Sequence, residues 1–527
     1  MPRRRVGIGF LVLIAAIAAT LITGPPASAA LTFKVTDLGT LGGARSSALA
    51  VNDSGQVVGS AMRPDGKTHA FSWTRAGGML DLGTLGGSTS TALDVNASGV
   101  VVGYAQRADG ATHAFSWTSG GGMVDLGTLG GSSSFPAAVN DSGVVVGRAD
   151  VAGNASYHAF RWSPGDAAPT DLGTFGGAYS VASAVNAGGQ VVGAASDLTG
   201  RFHAFSWTAG GGMVDVAPGS PDSSATAVNA SGQVVGAASS PGFTQSHAFS
   251  WTAGGGTTDI GTLGGRNSSA AAVNDAGQVV GWAHRPDNSM HAFSWTSANG
   301  ITDVGTLGGS YSVAAAVNAT GQIVGYAATA TSQRHAFAWD PDGGVLIDLG
   351  PSGSAFSQAL DVNAIGEVAG FANSAAGLSH ATFFSPPPPY DRVKEVADGL
   401  PSTPRPLGDA KARLSEALDL SLWNSTGTAL TYPDGMQFFD KVKQAIDRLD
   451  KSTDPVAAKD EAALFAIAEQ LTARVVKQAA STPGASADLV DVAQRQLAAA
   501  EERWAVDHSD AFERLKQAWR SAEAAVQ

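Results

Sequence analysis

The sequence contains no cysteine among its 527 residues. Disulfides, lipid attachment through cysteine and thiolate metal sites are therefore excluded, and packing alone must hold the fold in an oxidising environment. Charge is scarce as well, because Asp, Glu, Lys and Arg make up only 15% of the chain. The formal net charge of -13 is acidic, and an acidic surface repels nucleic acid and anionic membranes. We therefore expect neither as a partner.

Only one long apolar run occurs, from Val6 to Ile22. Three arginines precede this run, and a small-residue sequence, Ala27-Ser28-Ala29, follows it. A basic, an apolar and a cleavable segment in that order indicate a secretory signal peptide over residues 1–29, cleaved near Ala29. A retained membrane anchor is the alternative, since about 17 apolar residues lie near the lower limit for a span. The sequence predicts a secreted, extracellular protein without membrane contact after cleavage.

The few charges are unevenly distributed along the chain. Residues 31–385 carry 12 basic and 23 acidic residues, whereas the shorter segment 386–527 carries 17 and 22. Four consecutive prolines, from Pro386 to Pro389, lie at this change of composition and can continue neither a strand nor a helix. We therefore predict a domain over 30–385, a Pro-rich linker over 386–390 and a second domain over 391–527.

Three motifs recur through the first domain. The motif His-Ala-Phe-x-Trp recurs every 44 or 45 residues, and its last copy is altered to His-Ala-Thr-Phe-Phe. The histidines of the eight copies are His69, His113, His158, His203, His247, His291, His335 and His380. A Val-Asn pair followed by a turn glycine, and the motif Asp-Leu-Gly-Thr-Leu-Gly-Gly, recur at the same period. A fixed period of this length is typical of propellers and solenoids.

One repeat contains the signals for four short strands. The turn Asn52-Asp53-Ser54-Gly55 separates two short runs of small and β-branched residues. His69, Phe71 and Trp73 alternate with small residues, which indicates a third strand, and a Gly-Gly turn leads to a fourth. Four strands in about 44 residues fit a propeller blade better than a solenoid coil. The predicted fold class is all-β, an eight-bladed β-propeller followed by a small C-terminal α-helical bundle.

The two ends of the repeat array are incomplete in complementary ways. The array begins with Phe33 to Leu38, a fourth strand without its first three, and ends after Phe384, a third strand without a fourth. The first strand can therefore complete the last blade. Such closure pairs edges that would otherwise template aggregation.

The His-Ala-Phe-x-Trp and Asp-Leu-Gly-Thr-Leu-Gly-Gly units resemble the bacterial extracellular repeat called the HAF family, over residues 31–385. That resemblance implies export and no particular reaction. The altered copies near Asp215 and His380 depart from the pattern.

The repeated histidines are interpreted as structural donors between strands rather than as metal ligands. Zinc ligands lie about 2 Å from one ion, whereas equivalent atoms on packed sheets lie about 10 Å apart. The Asn-Asp-Ser-Gly turns are explained by turn chemistry, with calcium loops and glycosylation sequons as the alternatives. No metal and no cofactor is predicted.

The positions that vary between repeats are the candidate ligand-binding residues. They combine aromatic planes with arginines, which suits a sugar polymer or a protein partner; packing at the seams between blades is the alternative. We expect this face to bind an extracellular polysaccharide or a cell-surface protein through Arg45, Tyr104, Arg148, Tyr179, Arg266, Trp282, Tyr311 and Tyr326.

The leading functional prediction is thus a secreted, non-catalytic recognition or adhesion protein, and no catalytic residue is assigned. The alternative is an extracellular propeller hydrolase or lyase acting on polysaccharide, which would need converging acids in unrepeated positions. Glu367 is the one glutamate of the propeller, and its aspartates mostly occupy turns. His284, with Arg285 and Asp287, is the best unrepeated cluster.

The segment 391–527 changes to helical periodicity. Val442, Ile446 and Leu449 follow helical spacing, and the stretch from Asp488 to Val526 is rich in helix formers with a break near Asp507. We expect four to five helices in a small bundle.

Overall fold

The computed structural model describes residues 33–527, except 243, 341–343, 389–392, 394–395, 398–399, 401–404, 419–429, 431–435, 452–454, 482–485, 505–506 and 527. The predicted signal peptide lies outside the described residues. The described chain is mostly β, with antiparallel sheets of four to eight strands and a helical C-terminal part.

The strands are arranged in successive four-stranded units, numbered 1 to 8 along the chain. The first strands of units 1 to 8 are β2 (Ser46–Val51), β6 (Gly86–Val95), β10 (Gly130–Val139), β14 (Gly176–Val185), β18 (Ser223–Val228), β22 (Ser268–Val273), β26 (Gly308–Val317) and β30 (Ser357–Val362). The second strands are β3 (Val57–Met62), β7 (Val101–Arg107), β11 (Val145–Val151), β15 (Val191–Asp197), β19 (Val234–Ser239), β23 (Val279–His284), β27 (Ile323–Thr329) and β31 (Val368–Asn373).

The third strands carry the His-Ala-Phe motif, and the fourth strands end at or near the motif aspartate. The third strands are β4 (Thr68–Thr74), β8 (Thr112–Thr118), β12 (Tyr157–Trp162), β16 (Phe202–Thr208), β20 (Ser246–Thr252), β24 (Met290–Thr296), β28 (Arg334–Asp340) and β32 (Ser379–Ser385). The fourth strands are β5 (Gly78–Asp81), β9 (Gly122–Asp125), β13 (Thr170–Asp171), β17 (Gly212–Asp215), β21 (Gly256–Gly261), β25 (Gly300–Gly305), β29 (Val345–Asp348) and, for unit 8, β1 (Lys34–Asp37).

Within a unit each strand pairs antiparallel with the next. Units 3 and 4, and likewise units 6 and 7, are joined into eight-stranded sheets by one parallel residue pair each, Tyr157 with Tyr179 and Met290 with Tyr311. The strand from the start of the array, β1, pairs antiparallel with β32 from its end. The pairing expected from the incomplete ends of the array is therefore present.

The hydrophobic core lies between consecutive units. Phe71 and its counterparts in the other third strands are almost wholly buried. One cluster combines Val58 and Ala70 of unit 1 with Phe115 of unit 2, and another combines Phe71 with Phe383 of unit 8. Close packing also fixes Gly59, because a Cβ there would lie 2.0 Å from the carbonyl oxygen of Ser47. The described units thus bury their faces against their neighbours.

The described helices are α1 (Arg405–Ala417), α2 (Met436–Leu449), α3 (Pro455–Ser481), α4 (Ala487–Trp504) and α5 (His508–Val526). Their apolar stripes form a core that includes Phe438, Phe439 and Trp519. Asp510 in the first turn of α5 and Arg503 in the last turn of α4 complement the helix dipoles and form an ion pair at 2.9 Å. No helix in the described part of the chain is long and apolar enough to cross a membrane.

Candidate functional site

The repeated histidines bind the aspartates of the other motif. In unit 1 the Nδ1 of His69 lies 2.8 Å from the Asp81 carboxylate, which also accepts a hydrogen bond from the Gly83 N–H. The same pairing joins His113, His158, His247, His291, His335 and His380 to Asp125, Asp171, Asp259, Asp303, Asp348 and Asp37. In unit 4, the His203 Nδ1 lies 3.2 Å from the Asp215 carboxylate, but the two groups do not have the geometry of a hydrogen bond.

A second set of hydrogen bonds links each unit to the next. The backbone N–H of Ala70 donates to the Ser90 hydroxyl of the following unit at 2.8 Å, and Ser90 donates to the Gly83 carbonyl. At the last seam, Ala381 donates to Ser46 of unit 1 at 2.8 Å. The seam between the end and the start of the array thus has the same bond as the interior seams.

The turn asparagines form a closed ring. Asn52 donates through Nδ2 to the main-chain carbonyl of Asn96 at 3.0 Å, and the same bond continues around the array until Asn363 donates to Asn52 at 3.0 Å. The intermediate members are Asn96, Asn140, Asn186, Asn229, Asn274 and Asn318. Each side-chain oxygen accepts backbone N–H groups of its own turn, as in Asn52 with Gln56. These asparagines are buried and their polar atoms are satisfied.

The asparagine turns line a cavity of about 420 Å³, called here the central cavity. Its lining includes Asn52, Asn96, Asn140, Asn318 and Asn363, the carboxylates of Asp53 and Asp141, and no basic residue; the other lining positions are Val51, Val95, Ala97, Val139, Val185, Ala187, Ala319, Val362 and Ala364. The cavity is therefore polar and anionic.

Two further carboxylates lie beside the central cavity, immediately before the lining residues Val95 and Val362. Asp94 accepts hydrogen bonds at 2.8 Å from its own Val95 N–H and from Val139 of the next unit. Asp361 likewise accepts from Val362 at 2.8 Å and from Val51 of unit 1 at 2.9 Å. The equivalent position is alanine in the other six units: Ala50, Ala138, Ala184, Ala227, Ala272 and Ala316. Units 8 and 2, which flank unit 1, thus depart from the repeat in the same way.

Both carboxylates hold their protons unusually tightly. Burial raises the pKa of Asp361 to about 7; the hydrogen bond from Val51 opposes this rise, and the charge of Asp94 adds to it. Burial also raises the pKa of Asp94, against the hydrogen bonds from Val139 and Val95. Perturbed acids beside a cavity are characteristic of functional sites.

Glu367, the propeller's one glutamate, belongs to the seam where the array closes. Its buried carboxylate accepts a hydrogen bond from Asn363 at 2.9 Å and forms an ion pair with Arg75 of unit 1. The Arg75 guanidinium also lies 4.8 Å from the ring centre of Phe383. Glu367 is thus held by the turn of its own unit and by Arg75 of unit 1.

The predicted ligand-binding aromatics pack against side chains of neighbouring strands. Tyr104 contacts Phe135 of the next unit edge-on, and Arg148 lies over both Phe135 and Tyr157. Tyr179 packs on Tyr157 with ring centres 4.9 Å apart. The rings of Tyr104 and Tyr179 therefore pack on other side chains at the seams between units. Tyr179 is nevertheless 37% exposed.

The remaining candidates on this face do not converge either. Tyr311 packs on Tyr326, which in turn lies under the guanidinium of Arg334 at 4.0 Å. Trp282 packs on His284, and Arg266 donates to the Thr244 carbonyl. The Arg45 carbonyl accepts from Met62 across the first hairpin.

The unrepeated cluster around His284 is dispersed. Arg285 lies 3.6 Å from the Asp303 carboxylate, and Asp287 accepts hydrogen bonds from Ser289 within its own turn. The buried Nδ1 of His284 has no hydrogen-bond partner among the described residues. These three side chains therefore form no acid–base set.

Comparisons with known proteins give fold likeness at low identity. No protein-family model matches, and no curated protein matches. The β-propeller domain of the Trilobed protease from Pyrococcus furiosus is 12% identical over 59% of this chain and 99% of that chain, with a TM-score of 0.40. A puromycin-hydrolysing peptidase of Mycobacterium tuberculosis is 12% identical over 54% of this chain, with a TM-score of 0.33. TolB from Acinetobacter baumannii is 13% identical over 42% of this chain, with a TM-score of 0.28.

The chain spans about half the length of the peptidase and TolB chains, 51% and 52%. The similar structures include puromycin hydrolases. The prediction of a non-catalytic recognition or adhesion protein that binds an extracellular polymer or a cell-surface partner through this face is wrong. The physical reason lies in the seams, where the side chains that were to bind the ligand pack on one another. Neither that function nor its polysaccharide hydrolase or lyase alternative is retained.

Proposed function

We propose that the eight units form one closed eight-bladed β-propeller, exported as its first 29 residues predict, whose central cavity binds a small diamine. The two asparagine and serine bond series, each returning from unit 8 to unit 1, support the closure. The observation that carries the ligand is the replacement of the repeat's alanine by Asp94 and Asp361 beside an anionic cavity.

Two desolvated carboxylates beside the cavity favour a cation. Each carboxylate accepts two backbone N–H groups, which leaves lone pairs for a further donor. An ammonium group donates up to three hydrogen bonds, and two carboxylates match the two charges of a diamine. A cavity of about 420 Å³ lies in the size range of small-ligand sites.

A compact metal ion fits this position less well. Among the described residues, the three-group cluster with metal-ligand spacing lies elsewhere, in the helical part, and includes neither Asp94 nor Asp361. In addition, the residue before the aspartate is leucine in the acidic units and in unit 1 between them, namely Leu93, Leu360 and Leu49. The other five units have Ala, Ser or Thr there. The valines that line the cavity next to these acids, Val51, Val95 and Val362, also suit an apolar chain with charged ends better than a hydrated ion.

Putrescine is the probe for this site. We expect saturable calorimetric binding to the full chain at pH 8, weakened at least tenfold by Asp94→Ala or Asp361→Ala. Both changes restore the residue that six units already carry, so the fold is expected to tolerate them. Asp275→Asn, an exposed aspartate in the asparagine turn of unit 6 that does not line the cavity, is the control and should bind as the wild type does.

Binding should also weaken at pH 5, because Asp361 then holds its proton and no longer offers a charge. The neutral probe 1,4-butanediol should not bind. Equal putrescine affinity in the wild type and in the double alanine variant would remove this site from consideration.

A second candidate function rests on the same pair. An acid with a pKa of about 7 beside a second carboxylate can both donate and accept protons near neutrality, which acid–base hydrolysis requires. Peptide amides incubated with the chain in parallel distinguish the two. Product that disappears in Asp361→Ala would assign hydrolysis, whereas saturable diamine binding without product would assign binding alone.

A further inference from the structure

The helical part brings three chemically active side chains together from three helices. Asp450 directly follows the end of α2, Glu461 lies in α3, and His508 begins α5. One ligand atom from each lies within 4.8 Å of the other two. The His508 Nδ1 is 3.1 Å from Asp450 Oδ1 and 3.5 Å from Glu461 Oε2.

These separations match those around a single ion. Zinc binds imidazole nitrogen and carboxylate oxygen at about 2.0 to 2.2 Å, so two ligands of one tetrahedral ion lie about 3.4 Å apart. The two distances from His508 bracket that value. Small movements of the carboxylates would therefore complete the set.

Glu461 is the side chain that most needs a cation. Only 7% of its side chain is exposed, and the neighbouring Leu464 and Phe465 belong to the bundle core. Two acids of its own sign, Asp450 and Asp460, act on its carboxylate, and the His508 imidazole faces it at 3.5 Å. One imidazole cannot neutralise two carboxylates, whereas a divalent cation can.

The imidazole is held in place by a stack of aromatic rings. Trp504 at the end of α4 lies parallel to His508 with ring centres 3.8 Å apart. Phe465 of α3 in turn stacks on Trp504, with ring centres 4.2 Å apart. Fixing the ring plane of a histidine ligand is the usual task of its surroundings in metal sites.

We propose that Asp450, Glu461 and His508 form a divalent transition-metal site, with Zn²⁺ as the ion of best fit. A mixed set of one imidazole and two carboxylates suits Zn²⁺ better than Ca²⁺ or Mg²⁺, which prefer oxygen ligands alone. Asp450 and His508 are 43% and 31% exposed, so solvent reaches the site and water completes the coordination. The ion would tie α2, α3 and α5 together.

The test uses the metal-free full chain and Zn²⁺ alone. Calorimetric titration should show one site that Glu461→Gln and His508→Gln each weaken at least tenfold. The histidines of the β units are unchanged in both variants, so their background binding cancels. Asp510→Asn, which alters another acid of α5 already paired with Arg503 and Arg514, should bind as the wild type does.

Thermal unfolding gives the second measurement. Zn²⁺ should raise the unfolding temperature of the wild type and leave that of Glu461→Gln unchanged. Without metal, Glu461→Gln should be more stable than the wild type, because it removes a buried carboxylate of like charge to Asp450. Unchanged Zn²⁺ affinity in both variants, no Zn²⁺-dependent stabilisation of the wild type, or tighter binding of Ca²⁺ than of Zn²⁺ would each overturn the proposal.

Discussion

Replacing Asn363 with alanine is expected to lower the free energy of unfolding by about 3 kcal/mol. The side chain is 4% exposed, and its amide donates to the Asn52 carbonyl across the closing seam. Its oxygen accepts the N–H groups of Ile365 and Glu367. Alanine removes these three hydrogen bonds, worth about 1 kcal/mol each; the Asn52 carbonyl keeps its bond from the Gly55 N–H, whereas the N–H groups of Ile365 and Glu367 lose the Asn363 oxygen. Chemical denaturation followed by tryptophan fluorescence measures the change.

The matched control is Asn299→Ala, which truncates an exposed asparagine in a loop of unit 6. Its expected effect is within about 0.5 kcal/mol, as for other surface substitutions. If Asn363→Ala were no more destabilising than Asn299→Ala, the asparagine ring would not hold the closing seam.

Replacing Asp361 with asparagine is expected to change stability in opposite directions at pH 4 and pH 8. The pKa of this carboxyl is raised to about 7, so the folded chain binds its proton more tightly than the unfolded chain does. The stability that the protonated Asp361 contributes is therefore fully present below about pH 4 and is lost as the pH rises through 7. Each tenfold change in proton affinity is worth about 1.4 kcal/mol, so ionised Asp361 opposes folding by about 4 kcal/mol at pH 8.

Asparagine removes this opposition but also replaces one acceptor oxygen by a donor, which costs about 1 kcal/mol. Asp361→Asn should therefore be about 3 kcal/mol more stable than the wild type at pH 8 and about 1 kcal/mol less stable at pH 4. Differential scanning calorimetry at the two pH values measures both. The control Asp275→Asn should show the same change in stability between pH 4 and pH 8 as the wild type. If Asp361→Asn also showed the wild-type change, burial would not penalise the ionised form of Asp361, and the prediction would be wrong.

Much of the β part follows from the repeat itself. Small and β-branched runs, Asn-Gly turns and alternating rings predict four strands per unit, and the truncated ends predict that β1 pairs with β32. Histidine and aspartate occur at one period in two separate motifs, and the fold places them together across the third and fourth strands. The buried serines at the seams recur equally strictly, but their role needs the neighbouring unit to be in place.

The candidate site was harder to read from sequence. Turn chemistry accounts for most aspartates of the repeats, so it does not single out Asp94 and Asp361; aligning the units shows alanine at that position in the other six. The sequence predicts a ligand-binding face at the variable aromatics, because contacts such as Tyr104 with Phe135 join different units and do not follow from one repeat. In the helical part, the break expected near Asp507 lies between Trp504 and His508. The meeting of Asp450, Glu461 and His508 depends on helix packing, which periodicity does not specify.

The most direct test of the closed propeller is a cross-link between the two ends of the array. Lys34 and Ser385 are directly opposite in the register of β1 with β32, within the Cα separation that a disulfide spans. Because the chain has no cysteine, the variant Lys34→Cys/Ser385→Cys contains only this pair. The control, Lys34→Cys/Ser379→Cys, places the second thiol six residues away along β32, about 20 Å distant. Closure predicts a complete intramolecular disulfide in the first variant, with a higher unfolding temperature, and none in the control. Free thiols or intermolecular dimers in the first variant would contradict closure of the ring.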